Sequence, residues 1–542
     1  MVPDWESADK RHHEAQALAA QAAKSVRDGD VHKSRLLYRR AAELERSALE
    51  LIPPDKPRTL GIIAVSVVAL FYKSASYREA RLIATSFLAD KTLPKFCHDE
   101  IQEISRQISE EIPESEARST VNTLGSTSEV IHATQSQRMD RRLTLTSSYM
   151  EEFQPPQKVL LGPGPSTVHP RVLQAMARPV IGHLDPAFFQ VMDDVCEMLR
   201  EVFQTKNTMT VPISSTGTGA METACVNIIE PGDSVLICRN GYFGIRLGDI
   251  AERCGATVHL MDTAWGQAVD PQMLREELNK HPGLKAVGLV HAETSTGVLS
   301  SVKELVDVIH EHGALAIVDA VTSLGGHEMR MDDWGIDVCY SATQKCLGAP
   351  PGLAPISLSA AAMEVVSKRP TKVQSFYFNL KDLEAYWNQT RAYHHTSPIN
   401  MTYALRESLR MMMEEGIDQR IQRHARVAGG LRAGVEALGL NLLAEEGHRL
   451  NPLTTVAIPE GIEDAKVRRT LLNEHDIEIG GGLGEFAGKA WRIGLMGESA
   501  RERNVFALLS ALETILSKEG YEVAFGASLS AAQRAIATFD EG

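Results

Sequence analysis

From residue 158 onward, short apolar runs alternate with amphipathic stretches, and this alternation constrains the fold more than any other feature of the sequence. The apolar runs lie at 209–213, 234–238, 257–261, 286–291, 314–319 and 338–341. Strands that alternate with helices predict an α/β fold with a mostly parallel sheet covered by helices on both faces. Ligands of such sheets bind at the carboxyl ends of the strands, so we expect the chemistry there.

The chain of 542 residues is long enough for several domains. Residues 1–112 carry apolar positions at helical spacing and predict an all-α helical-hairpin domain that binds a protein partner or itself. Its small residues weakly match a tetratricopeptide repeat, and an irregular bundle is the alternative. Residues 113–157 are polar and aperiodic, which predicts a linker. We place the large α/β domain at 158–404 and a smaller α+β domain at 405–542.

The charge balance and the chain ends limit the partners and the compartment. The chain has 70 acidic and 56 basic residues, a net charge of −14, which argues against nucleic acid as a partner. The apolar-rich stretch 59–72 is too short to span a membrane. The first residues lack the basic and apolar pattern of a leader, and the last three are not a peroxisomal signal. We therefore expect a cytoplasmic protein without a membrane partner.

The cysteines and histidines predict no metal site and no disulfide framework. The seven cysteines form no Cys-x-x-Cys pair, which predicts reduced thiols. The pairs His12–His13 and His310–His312 lack further ligands at metal-binding spacing. The loop 480–484 has a loose nucleotide-like glycine pattern, but it precedes a predicted strand, so we interpret it as a loop beside the substrate.

Three features at predicted strand ends indicate the chemistry. The segment 214–222 is rich in glycine and threonine and opens a helix after a strand, which suits an anion, although alone it could be a simple connection. Asp319 ends an apolar strand, where a lone acid is usually a helix cap, and Lys345 follows the next strand, where a lone lysine is usually a surface residue. Together they supply a phosphate cradle, a carboxylate for a ring nitrogen and a lysine for a Schiff base, which pyridoxal 5'-phosphate requires.

Residues 158–518 resemble the class V (fold type I) pyridoxal-phosphate-dependent aminotransferases of the serine-glyoxylate and alanine-glyoxylate type. The matching motifs include Leu161-Gly-Pro-Gly-Pro-Ser, Ser215-Thr-Gly-Thr-Gly-Ala, Asn240-Gly-Tyr-Phe-Gly, His291-Ala-Glu-Thr-Ser-Thr-Gly-Val, Val318-Asp-Ala-Val-Thr-Ser-Leu-Gly-Gly, Ser341-Ala-Thr-Gln-Lys and Trp491-Arg-Ile-Gly-Leu-Met-Gly. The resemblance implies the fold type I architecture and a homodimer with shared active sites.

The resemblance also assigns residues. It implies Lys345 as the Schiff-base lysine and Asp319 as the partner of the ring nitrogen. Around the cofactor it implies ring contacts at Phe243 and Val321, phosphate contacts at Thr216, Gly217, Thr218 and Gln344, a hydroxyl near the phenolic oxygen at Thr294, and contacts to the neighbouring subunit's phosphate at Tyr393 and Thr396. For the substrate carboxylate it implies Arg492, with Gly164 lining the same end of the pocket. Ordinary core packing is the alternative for Phe243, and a solvated strand-end charge for Arg492.

The activity that the resemblance implies is transfer of an amino group from L-serine or L-alanine to glyoxylate. Thr218 and Phe243 stand where animal alanine-glyoxylate enzymes carry His and Trp, which favours the serine branch. A cysteine desulfurase needs a nucleophilic cysteine in its second half, and none follows Cys346. Two alternatives stay open, an aminotransferase for a small amine such as 2-aminoethylphosphonate and a catalytically silent scaffold.

Overall fold

The structure is a computed structural model, and it describes residues 5–49, 51–52, 56–89, 93–111, 152, 154–388 and 390–540. The chain divides into two units, Met1–Pro155 and Pro156–Gly542. Most of the predicted linker, 113–151 and 153, lies outside the described residues.

The N-terminal unit is helical in its described part. Its helices are α1 (Trp5–Arg27), α2 (Val31–Leu49), α3 (Pro57–Lys73), α4 (Tyr77–Ala89) and α5 (Lys95–Glu111). Helices adjacent in sequence pack against each other, and α3 also contacts α5. Their shared core contains Ala41, Val67, Phe71 and Ile101, all buried. The prediction of an all-α region is confirmed, and the match to a tetratricopeptide repeat stays a prediction.

The second unit contains the predicted alternation of strands and helices. Its strands are β1 (Val159–Leu160), β2 (Met209–Ile213), β3 (Ser234–Arg239), β4 (Thr257–Asp262), β5 (Ala286–Val290), β6 (Ala292–Glu293), β7 (Val298–Leu299), β8 (Leu315–Asp319), β9 (Val338–Tyr340), β10 (Ala354–Leu358), β11 (Leu453–Ala457), β12 (Ile477–Glu478), β13 (Gly480–Gly481) and β14 (Ala490–Gly494). Its helices are α6 (Pro170–Met176), α7 (Pro186–Phe203), α8 (Gly217–Ile228), α9 (Tyr242–Arg253), α10 (Pro271–Lys280), α11 (Val302–Glu311), α12 (Ala360–Lys368), α13 (Leu380–Trp387), α14 (Ile399–Glu415), α15 (Ile417–Ala437), α16 (Asp464–Glu474), α17 (Glu502–Lys518) and α18 (Ala527–Asp540).

A seven-stranded sheet with the order β2-β10-β9-β8-β5-β3-β4 forms the centre of this unit. Strand β10 is antiparallel to β2 and β9, and the other neighbouring pairs are parallel. Along β3, Val235 and Ile237 pack in one hydrophobic cluster, whereas Leu236 and Cys238 pack in another. Because successive side chains of a strand point to opposite faces, both faces of the sheet are buried, as the apolar runs predict.

The C-terminal part packs helices around a three-stranded sheet with the order β11-β14-β13. Its core includes the fully buried Trp491 of β14 and Leu508 of α17. The first strand of the unit joins this part, because β1 pairs in parallel with β12 and Val159 lies opposite Ile477. The division of the unit at residues 404 and 405 stays a prediction.

The described residues contain neither a membrane-spanning helix nor a cluster of metal-binding side chains. None of the helices in the described ranges is long and apolar enough to cross a membrane. No group of three or more His, Cys, Asp or Glu side chains in these ranges is arranged to hold a metal ion.

Candidate active site

A cavity of about 280 Å³ lies at the carboxyl edge of the seven-stranded sheet. The register places the last residues of three parallel strands side by side, with Val290 opposite Asp319 and Asp319 opposite Tyr340. Of the residues proposed from the sequence, the cavity is lined by Gly164, Thr216, Gly217, Thr218, Phe243, Thr294, Asp319, Val321, Gln344 and Lys345. Segments spread over much of the unit therefore converge at the strand ends.

Lys345 lies in the turn after β9 and its amine points into the cavity wall. The side chain is buried, and Nζ donates a hydrogen bond to the Pro163 carbonyl. Burial, and next the nearby charge of Arg492, lower the pKa of Lys345 to about 8. The turn is held from outside the cavity, because Ser166 Oγ donates to the Lys345 carbonyl at 2.9 Å and Arg420 Nη2 to the Cys346 carbonyl at 2.8 Å. The lysine is thus fixed in place and partly neutral near physiological pH.

Gly164 leaves the space that the lysine side chain occupies. A Cβ at this position would lie 2.7, 2.8 and 2.9 Å from Cδ, Cε and Nζ of Lys345, and the backbone φ is +110°. The dihedral angle favours glycine, and an added Cβ would displace the end of the lysine side chain. The Gly-Pro-Gly-Pro motif therefore forms the wall against which Lys345 packs.

Asp319 ends β8 and is almost completely buried at the floor of the cavity. Its Oδ1 accepts a hydrogen bond from the Val321 backbone N–H at 2.8 Å. Burial, together with the charge of Glu293 and against the Val321 hydrogen bond, raises the pKa of Asp319 to about 7. A cationic N–H placed in the cavity would supply the counter-charge that this carboxylate lacks.

The start of α8 offers donors for an anion. Thr216 is the N-cap residue, and its side chain makes no capping hydrogen bond to the helix. Backbone N–H groups at a helix start are unsatisfied within the helix and favour negative charge. Gln344 also lines the cavity, and its side-chain N–H₂ is a donor, whereas its Oε1 is a buried acceptor without a hydrogen-bond partner among the described residues. These residues suit a phosphate group at this end.

The aromatic wall of the cavity is fixed by a buried carboxylate, Glu293. Its Oε2 accepts hydrogen bonds from the backbone N–H groups of Phe243 at 3.0 Å and Gly244 at 3.4 Å. Its Oε1 accepts from the backbone N–H and the Oγ of Ser295 at 2.9 and 2.6 Å. Glu293 is fully buried, and burial raises its pKa against these hydrogen bonds. The carboxylate thus caps the start of α9 and holds Phe243 at the cavity.

Arg492, on β14, is not among the residues that line the cavity, but it is hydrogen-bonded to the lining residue Thr294. Its Nε donates to the Gly481 carbonyl at 2.7 Å and Nη1 to the Thr294 carbonyl at 3.4 Å. Burial lowers the pKa of Arg492 to about 10, which the charge of Glu293 partly offsets. No carboxylate in the described ranges pairs with this guanidinium, so a mostly buried cation stands beside the cavity with hydrogen bonds to carbonyls only.

Tyr393 and Thr396 do not line the cavity of their own chain. Both are exposed, and the exposed fraction of Tyr393 is 65%. Between them, His395 Nε2 lies 2.7 Å from Ser214 Oγ, just before the start of α8. Their expected contact with a neighbouring subunit stays a prediction.

Two charged residues of the site, Glu293 and Arg246, were not proposed from the sequence. The further lining residues that were not proposed are Pro165, Met221, Val290, Ala292, Thr322 and Pro351. Glu293 lies within the motif His291-Ala-Glu-Thr-Ser-Thr-Gly-Val, at the end of the short strand β6 that follows β5, and an acid among small residues at a strand end was the available signal. Arg246 lines the cavity one helical turn after Phe243, and the i, i+3 spacing was its signal.

Comparison with known proteins identifies the family. A family model described as aminotransferase class-V matches residues 159–486, the segment that carries the whole cavity. The chain belongs to the class V aminotransferases. The cofactor of this aminotransferase is therefore pyridoxal phosphate, and the predictions of family, fold and cofactor are confirmed. The N-terminal helices α1 to α5 precede the matched segment.

Several similar proteins are named as aminotransferases that use glyoxylate. A (S)-ureidoglycine–glyoxylate transaminase of Bacillus subtilis (strain 168) is 40% identical over 395 residues, which cover 70% of this chain and 95% of that protein. An alanine–glyoxylate aminotransferase of Rattus norvegicus is 40% identical over 365 residues, 67% of this chain and 88% of that protein. A crystal structure of an alanine–glyoxylate aminotransferase from Nostoc sp. is 48% identical, with a TM-score of 0.67, and covers 68% of this chain and 97% of that one.

Proposed function

We propose that this aminotransferase transfers the amino group of L-serine or L-alanine to glyoxylate, giving glycine and either hydroxypyruvate or pyruvate. The observation that carries the proposal is Arg492, a mostly buried guanidinium beside the cavity whose hydrogen bonds go to two carbonyls. A planar guanidinium binds a carboxylate through two parallel hydrogen bonds. The donor amino acids and glyoxylate share a carboxylate next to the reacting carbon, so one arginine serves both half-reactions.

The residues of the cavity fit pyridoxal phosphate. The phosphate would bind at the start of α8, to Thr216, Gly217 and Thr218, and to the side-chain N–H₂ of Gln344. The ring would lie between Phe243 and Val321, with Asp319 at its nitrogen and Thr294 near its phenolic oxygen. When bound, the cofactor supplies an electron-accepting ring that makes the substrate Cα–H acidic.

Lys345 moves the proton in this proposal. Because its pKa is lowered to about 8, part of the amine is neutral at neutral pH and can accept the proton of the substrate Cα. The resulting ammonium would then deliver the proton to the cofactor carbon bonded to the transferred nitrogen rather than back to Cα, and the Pro163 carbonyl is positioned to stabilise the ammonium. Asp319 would hold a proton at the ring nitrogen of the bound cofactor, because a buried carboxylate is stabilised by an adjacent cation.

A second donor, (S)-ureidoglycine, is favoured by one observation, the relative from Bacillus subtilis that is named for it. This compound also carries an α-amino and an α-carboxylate group, so Arg492 would bind it in the same manner. Thr218 and Phe243, by resemblance, favour the serine branch. The donors are therefore compared directly in the experiment.

The test is the absorbance of the bound cofactor in separate half-reactions. The holoenzyme receives L-serine, L-alanine, (S)-ureidoglycine or 2-aminoethylphosphonate, and glyoxylate is added afterwards. We expect the colour to bleach with serine or alanine and to return with glyoxylate. Bleaching by ureidoglycine alone would assign the second donor, and bleaching by the aminophosphonate alone would contradict the role of an α-carboxylate. Colour that no donor bleaches would indicate a silent scaffold.

Arg492→Ala tests the carboxylate contact. Hydrogen bonds to charged groups contribute about 1.5–3 kcal/mol each, so we expect the KM for serine or alanine to rise about 10- to 100-fold or more. Arg253→Ala is the control, because Arg253 is an exposed arginine of α9 that pairs with Asp249. An Arg492→Ala variant whose KM matches that of the control would refute the proposed role.

The subunit arrangement is part of the proposal. We expect a homodimer in which Tyr393 and Thr396 of one subunit contact the cofactor phosphate bound by the other, and their exposure on this chain supports that role. Light scattering of the purified protein should give twice the chain mass, and a monomeric mass would contradict shared sites. For the helices α1 to α5 we expect a partner-binding or self-association role, which pull-down with the deleted chain as control would test.

A further inference from the structure

Arg246 is a cavity residue with no role in the proposed reaction so far. It lies on α9, and its Nη1 donates a hydrogen bond to Thr218 Oγ1 at 3.1 Å. The guanidinium carbon lies 4.9 Å from the ring centroid of Phe243 and 5.3 Å from that of Tyr242. The side chain is only partly exposed. One arginine therefore connects the first turn of α8 with the aromatic wall.

The direction of this hydrogen bond determines where the Thr218 hydroxyl proton points. An arginine can only donate, so Thr218 Oγ1 is the acceptor, and one lone pair of the oxygen is occupied. The single hydroxyl proton of Thr218 is then available to a different acceptor. Thr218 lines the cavity in the first turn of α8, so an anion bound in the cavity can be that acceptor.

We propose that Arg246 is a positioning residue for the cofactor phosphate, which it serves by turning Thr218 into an oriented donor and by holding the ring of Phe243. The inference rests on the proposed function in one respect, the assignment of Thr218 as a phosphate contact. The positive charge of Arg246 also polarises the Thr218 hydroxyl, which strengthens the hydrogen bond that this hydroxyl donates to an anion.

The geometry requires arginine rather than lysine. A planar guanidinium can stack on an aromatic ring and donate from its edge at the same time, whereas an ammonium is a point charge on a flexible stem. Arg246 does both, with Phe243 under its face and Thr218 at its edge. Arg246→Lys should therefore recover little of what Arg246→Met loses.

The experiment is a double-mutant cycle on cofactor affinity. The dissociation constant of the apoprotein for pyridoxal phosphate is measured for the wild type, Arg246→Met, Thr218→Val and the double variant, together with the thermal midpoint of each apoprotein. We expect Thr218→Val to bind about tenfold more weakly, and Arg246→Met as much or slightly more because it also loses the contact with Phe243. The double variant should bind about as Arg246→Met does, not a hundredfold more weakly than the wild type, because both changes remove the same oriented donor. The apoprotein midpoints should stay within a few degrees of one another. Arg253→Met, on the same helix, is the control and should bind as the wild type does.

Several results would overturn the inference. A hundredfold loss in the double variant would mean that Arg246 and Thr218 act independently. Unchanged affinity in Arg246→Met, or full rescue by Arg246→Lys, would remove the positioning role. Failure of the proposed function can be distinguished from failure of this inference. If the wild type binds the cofactor but no amino donor bleaches its colour, the four dissociation constants can still be measured and compared.

Discussion

Gly164→Ala should disable the active site through a single methyl group. The added Cβ would lie 2.7–2.9 Å from three atoms of Lys345, whereas carbon atoms in contact are separated by about 3.5–4.0 Å. The end of the lysine side chain must therefore move by about 0.7 Å or more. Misplacement of a reacting group by about 1 Å can cost about a hundredfold in rate, and we expect a loss of that order in kcat/KM.

The substitution also has a backbone cost. A φ of +110° is unfavourable for alanine, and residues held in such regions cost about 1–3 kcal/mol. Urea unfolding of the apoprotein should show this loss. Gly162→Ala is the matched control two residues earlier, because its added Cβ would lie 3.5 Å from Glu478 Oε1, an ordinary contact.

The assay compares the two variants and the wild type in steady-state transamination and in the absorbance of the lysine-bound cofactor. Gly162→Ala should behave as the wild type in both. If Gly164→Ala keeps kcat/KM within threefold of the wild type and an unchanged cofactor spectrum, the proposed packing of Lys345 against Gly164 is wrong.

Two further predictions concern buried titratable groups. Glu293→Gln should lower the free energy of unfolding by about 1–3 kcal/mol in urea titrations of the apoprotein, because an amide N–H₂ would then face donors that now bind a carboxylate. Glu311→Gln, at an exposed glutamate, is the control. Equal stability of the two variants would refute the proposal that Glu293 caps the start of α9. The pKa of Lys345 near 8 predicts that the apoprotein attaches pyridoxal phosphate about tenfold faster per pH unit below 8 and at a constant rate above it, since only the neutral amine reacts. A rate constant that is flat from pH 6 to 9 in stopped-flow absorbance would contradict that value.

The sequence predicts those parts of the site that follow directly from strands. Asp319 and Lys345 each come after a buried apolar run, and the edge of a parallel sheet brings such positions together. The start of α8 is recognisable for the same reason. The helical N-terminal unit follows from its apolar spacing alone.

Other parts depend on partners far along the chain and leave no local pattern. Glu293 acts on the backbone of α9, about fifty residues earlier, and the sequence does not show which N–H groups meet it. Arg246 acts on Thr218, which lies on a different helix. Strands β1 and β12 have two residues each, too short for a period-two pattern, so their pairing could not be predicted.

The pairing of β1 with β12 has a consequence for how the protein folds during synthesis. Lys158, the residue before β1, donates to a carboxylate oxygen of Asp476, 318 residues later, and Gly164 follows closely after this anchor. A chain made from its N-terminus forms the lysine-bearing sheet long before that partner segment exists, and contacts so distant in sequence form slowly. The wall against which Lys345 packs is thus completed last, and a prematurely ended chain would contain the reactive lysine without a closed pocket around it.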